Sequence, residues 1–161
     1  MDDPRYAHLA QMFQRGWTAP GPGAWDDVLT EDVLLVQPLV PTTRGRAAWD
    51  AQINDVLELV PDLTGTVQNW SGHGNTMFIE LTLAGTMGGK PVSWGLVDVL
   101  TLTGDRVSKR VSYFDSAPLG LTILCRPRAW RPAWRAGLGR SVLKAPTAVL
   151  DKTGIRDKSP V

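Results

Sequence analysis

Asp98 is the residue whose type and position point most directly to chemistry. It lies in the stretch WGLVDVLTL, residues 94–102, whose apolar and β-branched composition is typical of a strand. Because side chains alternate along a strand, Asp98 shares its face with four apolar residues: Trp94, Leu96, Leu100 and Leu102. A carboxylate in such a row is costly to bury unless it is paired, hydrogen-bonded or neutralised. We therefore expect this strand either to line a cavity or to hold a partner for the acid.

Other sequence motifs with known enzyme chemistry are weak or missing. His8 and His73 have no Cys or carboxylate at the spacing of a metal site, so we expect no metal. No serine lies in a nucleophile elbow. The glycine-rich stretch 85–91 lacks the length and the Ser/Thr of a phosphate loop and is interpreted as a hairpin turn. The sequence thus predicts acid–base chemistry in a pocket, without a metal or an organic cofactor.

Composition predicts one compact domain. The chain has 161 residues, 43% of them hydrophobic and 20% charged, which is enough for a substantial core. No apolar run reaches the roughly 18 residues of a membrane span, and the start MDDPRYAHLA is acidic, unlike a secretion signal. The single cysteine, Cys125, excludes an internal disulfide. We therefore expect a cytoplasmic protein.

The elements that must position Asp98 follow from the periodicity of apolar residues. Helical spacing predicts helices over 4–17, 24–29 and 46–59, and β-branched runs predict strands over 32–38, 63–71, 76–86, 91–102 and 106–115. Glycine-containing turns separate the last four strands, which predicts an antiparallel meander. Helices followed by a meander indicate an α+β fold with helices on one face of a sheet.

Three stretches in this order resemble a known family: AWDDVLTEDVLLVQPL, TRGRAAWDAQINDVLELVPDL and VDVLTLTGDRVSKRVSYFD. They are similar to the SnoaL-like branch of the nuclear transport factor 2-like superfamily, over about residues 5–120. The resemblance implies a cone-like α+β barrel over residues 1–120, with the N-terminal helices packed in the concave face of a strongly curved antiparallel sheet. Members include polyketide cyclases, ketosteroid isomerases, limonene-epoxide hydrolases and binding proteins without catalysis.

The resemblance implies two candidate catalytic residues. Asp98 matches the pocket acid of the ketosteroid isomerases, although Gln37 stands where their general-base Asp would precede the proline. Asp115 ends a Tyr-Phe-Asp stretch that is similar to the last strand of the epoxide hydrolases, but their Arg-x-Asp is replaced by the stretch 80–83. Each acid also has a structural interpretation: Asp98 as a buried acid hydrogen-bonded to Trp94 or a tyrosine, and Asp115 as a cap at a strand end.

Aromatic and amide side chains are the candidate ligand-binding residues. They are Gln37, Trp17, Trp49, Trp70, Trp94 and Tyr113. The tryptophans are expected to form core and pocket wall, and their number favours a flat, small hydrophobic ligand.

Two function classes stay open. In one, the protein is a cofactor-independent enzyme of the cyclase or isomerase type that uses Asp98 as general acid or base. In the other, it is a binder of a hydrophobic metabolite or protein partner. The acid in the apolar row favours the enzyme and the missing second acid–base residue favours the binder; we favour the enzyme. A homodimer is also expected, through the sheet face that carries Phe78, Val97 and Val99.

Residues 121–161 are predicted to form a basic C-terminal extension that contains tryptophans. Residues 1–115 hold 8 Lys/Arg and 14 Asp/Glu, whereas residues 116–161 hold 9 and 2. Trp130, Trp134, Leu138 and Val142 recur every four residues, which predicts a basic helix with one apolar stripe and Pro132 in its first turn. We expect the helix to pack on the acidic body or on the dimer partner, with Trp130 and Trp134 covering the cavity mouth or a sheet edge. The alternative is a weak contact with an anionic membrane surface, and nucleic acid is not expected as a partner.

Overall fold

A computed structural model describes residues 4–135, which form four helices and a six-stranded sheet. In chain order the elements are α1 Pro4–Thr18, β1 Leu29–Val36, β2 Thr43–Arg44, α2 Arg46–Leu59, β3 Thr64–His73, β4 Thr76–Met87, β5 Lys90–Thr103, β6 Arg106–Tyr113, α3 Ser116–Leu124 and α4 Pro127–Arg135. The strand order is β2-β1-β6-β5-β4-β3, and neighbours are antiparallel except β1 and β6. The α+β fold is therefore confirmed, with a parallel pair where β1 joins the meander.

The first two helices pack on one face of the sheet through tryptophans. Trp17 of α1 and Trp49 of α2 both contact Trp25, which lies in the connection after α1, with ring centroids 4.9 Å and 5.0 Å apart in edge-to-face geometry. The helix predicted over 24–29 is wrong, because residues 22–28 form successive turns. Gly16 lets the Trp25 indole approach α1 closely, since a Cβ there would overlap the ring.

The long strands β4 and β5 form the hairpin that the glycine-rich stretch 85–91 predicted. Gly88 and Gly89 have φ angles of 59° and 81°, the pair of positive values that a two-residue type I′ turn requires. The pairing is continuous from Met87 with Lys90 to Thr76 with Thr101. Asp98, near the far end of β5, is therefore held rigidly between β4 and β6.

Two further helices follow the sheet and pack back on it. Helix α3 was not predicted from the sequence, and the predicted start of the basic helix is wrong: α4 begins at Pro127 and contains Pro132 in its interior. Arg126, between the two helices, donates hydrogen bonds to the carbonyl oxygens of Met87, Lys90 and Pro91. Among the helices within residues 4–135, none is long and apolar enough to cross a membrane.

Candidate functional site

A cavity of about 100 Å³ lies between α2, the concave face of the sheet and α3. Its wall is mostly apolar, with Trp49 and Ile53 from α2, Trp94 from β5 and Leu119 from α3 among its residues. The polar groups that reach it are the side chains of Gln37, Gln52, Arg110 and Ser112. A mainly apolar wall with a few convergent polar groups is typical of a small-molecule site.

The polar side of this cavity is built on Asp98. The Asp98 side chain is 0% exposed. Arg110 Nε donates a hydrogen bond to Asp98 Oδ2 at 2.7 Å, and Ser112 Oγ donates one to Asp98 Oδ1 at 2.6 Å. Both donors are themselves buried. Asp98 is thus paired with a cation and accepts a hydrogen bond from a hydroxyl group, and these two contacts offset the cost of burying its charge.

The pairing of β5 with β6 explains how these three side chains meet. Ser112 lies directly opposite Asp98. Arg110 lies opposite Leu100, the next residue of β5 whose side chain points to the same face as Asp98. Thr101 pairs with Lys109 but Leu102 pairs with Val107, so β6 contains one extra residue at 108. This bulge shifts the alternation, and for that reason Val107 and Arg110 are both buried in the core.

Further contacts fix the guanidinium of Arg110 in one orientation. Its Nη1 donates to Gln37 Oε1 at 3.2 Å, and its central carbon lies 4.8 Å from the centroid of the Trp49 ring. Gln37 is held in turn by Gln52, whose Oε1 accepts a hydrogen bond from Gln37 Nε2 at 3.3 Å and whose Nε2 donates to Thr43 Oγ1 at 2.9 Å. The chain of contacts leaves Arg110 little rotational freedom.

The cavity wall offers hydrogen-bond donors and little proton-transfer capacity. Arg110 is the one titratable residue that lines it within residues 4–135, and an arginine stays protonated. Asp98 lies behind Arg110 and Ser112 and does not line the cavity. The buried indole nitrogens of Trp17 and Trp49, two wall residues, have no hydrogen-bond partner in the described part of the chain. The arrangement is suited to hold an oxygen-bearing molecule in a mainly apolar pocket.

One residue of the cavity wall has a strained backbone. Leu39, which lines the cavity, has a φ of 70°, and among residues 4–135 no other residue except glycine has a positive φ. A left-handed conformation costs about 1–2 kcal/mol for such a side chain. Strain of this kind tends to occur where a loop contacts a ligand.

The predicted site residues divide into two groups. Trp17, Gln37, Trp49 and Trp94 line the cavity. Trp70 and Tyr113 do not: Trp70 is half-buried on the edge strand β3, and Tyr113 is 60% exposed. Tyr113 follows the inward-pointing Ser112, and strand alternation places it on the opposite face. For these two residues the structure does not support a place in the cavity.

Asp115 lies outside the cavity as well. Its Oδ1 accepts a hydrogen bond from the backbone N–H of Ala117 at 3.0 Å, and it is the N-cap of α3. This contact is the one expected from an acid that precedes a helix. Its structural interpretation as a cap therefore has a direct contact behind it.

Sequence reasoning missed Arg110 and Ser112, the direct partners of Asp98. If the side chains of β6 alternated regularly, Val107 and Arg110 would point to opposite faces of the sheet. The bulge puts both on the same face, and it leaves no clear signal in the sequence. A hairpin centred on the turn at Gly104 does, however, bring this part of β6 beside Asp98. The pairing of a basic residue with the acid across that hairpin was the available signal. Within residues 4–135 no three His, Cys, Asp or Glu side chains are grouped to hold a metal ion.

Comparison with known proteins identifies one family and several solved structures with a similar fold. A family model described as the SnoaL-like domain matches residues 9–110. TsrD from Streptomyces laurentii is 22% identical, with 75% of this chain and 94% of TsrD matched and a TM-score of 0.63. A candidate SnoaL-like polyketide cyclase from Jannaschia is 16% identical, with 76% and 94% matched and a TM-score of 0.63.

A third solved structure, TerC co-crystallised with polyporic acid, is 15% identical, with 74% of this chain and 98% of TerC matched and a TM-score of 0.68. At these identities the solved structures establish a shared fold. No curated protein matches the sequence.

Proposed function

The chain belongs to the SnoaL-like domain family, and from that premise we propose that its cavity binds a small, flat, mainly apolar molecule through a carbonyl or acidic oxygen. Arg110 is the residue that binds this oxygen. The observation that carries the proposal is a buried arginine, oriented by Asp98, Gln37 and Trp49, on the wall of an otherwise apolar cavity.

The remaining donors of Arg110 make an oxygen the best ligand atom. Nε is used by Asp98 and Nη1 by Gln37, and in residues 4–135 no hydrogen-bond partner is found for Nη2. A guanidinium recognises planar oxygen-containing groups with its fixed fork of donors. Because Asp98 already balances its charge, a ligand with a neutral carbonyl can be bound as well as an acid.

The size of the cavity limits the ligand. A cavity of about 150 Å³ holds benzene in a well-studied case, so about 100 Å³ accommodates at most one small ring without movement of the wall. A larger ligand would extend out of the partly open cavity or displace α3 or the 38–40 loop, where Leu39 is strained. The TerC complex with polyporic acid supports an acidic ligand class for this fold.

A second candidate function is turnover of the cyclase or isomerase type. The observation in its favour is that Ser112 lies between the cavity and Asp98. Ser112 Oγ can accept a proton from a carbon beside a carbonyl while its own proton passes to Asp98, and the electron pair moves to the carbonyl oxygen. The resulting enolate oxygen would be stabilised by Arg110. Asp98 would then act as a base through Ser112.

Matched ligand pairs test the binding proposal. Acetophenone and ethylbenzene differ by one carbonyl oxygen, and benzoate and toluene differ by one carboxylate. We expect calorimetry to show preference for the oxygen-bearing member of each pair, and Arg110→Lys to reduce that preference about tenfold or more because the fork of donors is lost. Arg106→Lys, on the same strand outside the cavity, is the control. Equal binding of both members would refute the proposal.

Turnover is tested with the same compound. Acetophenone in D₂O should exchange its methyl hydrogens in the presence of the protein, as followed by NMR, and Ser112→Ala should slow the exchange by about 10²-fold. Binding without exchange would leave the protein a binder.

A further inference from the structure

The outer side of α3 and α4 exposes a concentration of large apolar side chains. Leu121, Leu124, Trp130 and Trp134 are each between 52% and 66% exposed. Three other large apolar residues of the described chain are comparably exposed, namely Phe78, Val97 and Tyr113, and they lie on the sheet. We call the group of four on the helices the α3–α4 outer face.

Helical spacing explains why these residues point outward. The inner row of α4 consists of Ala129 and Ala133, four residues apart and both buried. Trp130 and Trp134 follow each of them by one residue and lie on a neighbouring, open flank. On that flank Trp130 Nε1 donates hydrogen bonds to the carbonyl oxygens of Ile123 and Leu124, which joins the end of α3 to α4. Neither tryptophan is among the residues that line the cavity.

Two arginines of the predicted extension contact the rest of the fold. Arg126 binds the β4–β5 hairpin, and Arg135 Nη1 lies 3.7 Å from Glu58 Oε2 of α2. Both contacts join the inner side of α3 and α4 to the body. The remainder of the predicted apolar stripe, Leu138 and Val142, lies outside the described residues.

The two helices that form the outer face carry arginines and no acidic residue. Arg131 of α4 is exposed, and no ion pair is found for it within residues 4–135. Arg128 is exposed as well and lines a surface groove together with Glu58 and Asp62. From residue 116 to residue 150 the sequence contains Arg126, Arg128, Arg131, Arg135, Arg140 and Lys144 and no Asp or Glu. A partner that covers this face must tolerate tryptophan and leucine beside several cations.

We propose that the α3–α4 outer face docks on an anionic lipid surface. Tryptophan and leucine suit the boundary between headgroups and acyl chains, and arginines attract negatively charged headgroups. A second copy of this chain would bring the same cations together across a symmetric contact, which costs repulsion. A nucleic acid would engage the arginines and leave Leu121 and Leu124 uncovered. The proposal does not depend on what the cavity binds.

Flotation of the full chain with lipid vesicles tests this docking. Vesicles of phosphatidylcholine with one quarter phosphatidylglycerol should carry the protein, vesicles of phosphatidylcholine alone should carry far less, and rising salt should release it. Failure to bind the anionic vesicles would overturn the proposal, as would equal binding to both kinds.

Paired variants locate the contact. Trp134→Ser and Leu124→Ser should each lower the vesicle partition coefficient about tenfold, whereas Phe78→Ser, an exposed aromatic of the sheet, should leave it unchanged. Arg131→Glu should lower it by a similar factor, and Lys109→Glu on β6, with the same change in charge, should have a much smaller effect. If sheet and helix variants behave alike, or if Trp134→Ser changes only the oligomeric state, the proposal is wrong.

Discussion

The cavity wall and the α3–α4 outer face both place arginine beside tryptophan, but they treat the arginine differently. Arg110 is buried, packed over Trp49 and hydrogen-bonded to Asp98 and Gln37. Arg131, one residue from Trp130, is exposed and has no ion pair in the described part of the chain. Similar residue types are therefore placed in two different surroundings.

The two kinds of arginine differ in how freely their side chains can reorient. A buried arginine held by three neighbours presents its remaining donors in one direction, which suits a single ligand atom. Exposed arginines on a helix retain their rotamer freedom and suit a partner whose negative charge is spread over a surface. The comparison predicts that substitutions in the cavity act on stability and affinity together, whereas substitutions on the outer face act on docking alone.

The largest effect is expected at Arg110. Arg110→Met leaves Asp98 buried without a cation, and this should lower the free energy of unfolding by about 3–5 kcal/mol. The double variant Asp98→Leu/Arg110→Met should recover most of that loss, because an apolar pair replaces the ion pair. Urea unfolding of the unsubstituted chain and of the two variants measures this. A single variant as stable as the unsubstituted chain would contradict the account of the polar cluster.

A smaller contrast is expected between the two sides of α4. Ala129→Leu inserts extra atoms between α4 and the body, and overpacking of this kind should lower the free energy of unfolding by about 1–3 kcal/mol. Trp134→Ser, on the outer face, should change it by about 0.5 kcal/mol or less. Thermal unfolding of both variants makes the comparison, and equal destabilisation would show that the outer tryptophan is a structural contact.

Asp115 should show a capping effect and no effect on the ligand. Asp115→Ala removes the hydrogen bond to the Ala117 N–H and should cost about 1 kcal/mol of stability. Ligand affinity, or the rate of hydrogen exchange if turnover is found, should stay within about twofold. A large loss of either with unchanged stability would restore the catalytic interpretation.

The homodimer stays a prediction, and its interface would be the exposed sheet face with Phe78 and Val97. Light scattering at micromolar concentration should give twice the chain mass, and Val97→Lys should give a monomer without loss of fold. A monomeric unsubstituted chain would rule out this interface.

Local patterns predicted most of the fold, because α1, α2 and the meander depend on periodicity and turn residues. The segment after α1 was misassigned as a helix: Trp25 is drawn into the core between Trp17 and Trp49, a tertiary contact that no local pattern contains. The site was predicted in part. Asp98 was singled out because it is a charged residue in a row of apolar ones. Its partner Arg110 faces it only because of the bulge in β6, and the position of that bulge depends on the pairing of β5 with β6.

The central claim is that Arg110 binds an oxygen of the ligand in the cavity. A crystal structure of the full chain with benzoate tests it most directly. We predict the ring between Trp49 and Trp94 and a carboxylate oxygen about 2.7–3.2 Å from a terminal nitrogen of Arg110. Benzoate bound elsewhere, or bound in the cavity with its carboxylate turned away from Arg110, would contradict the account.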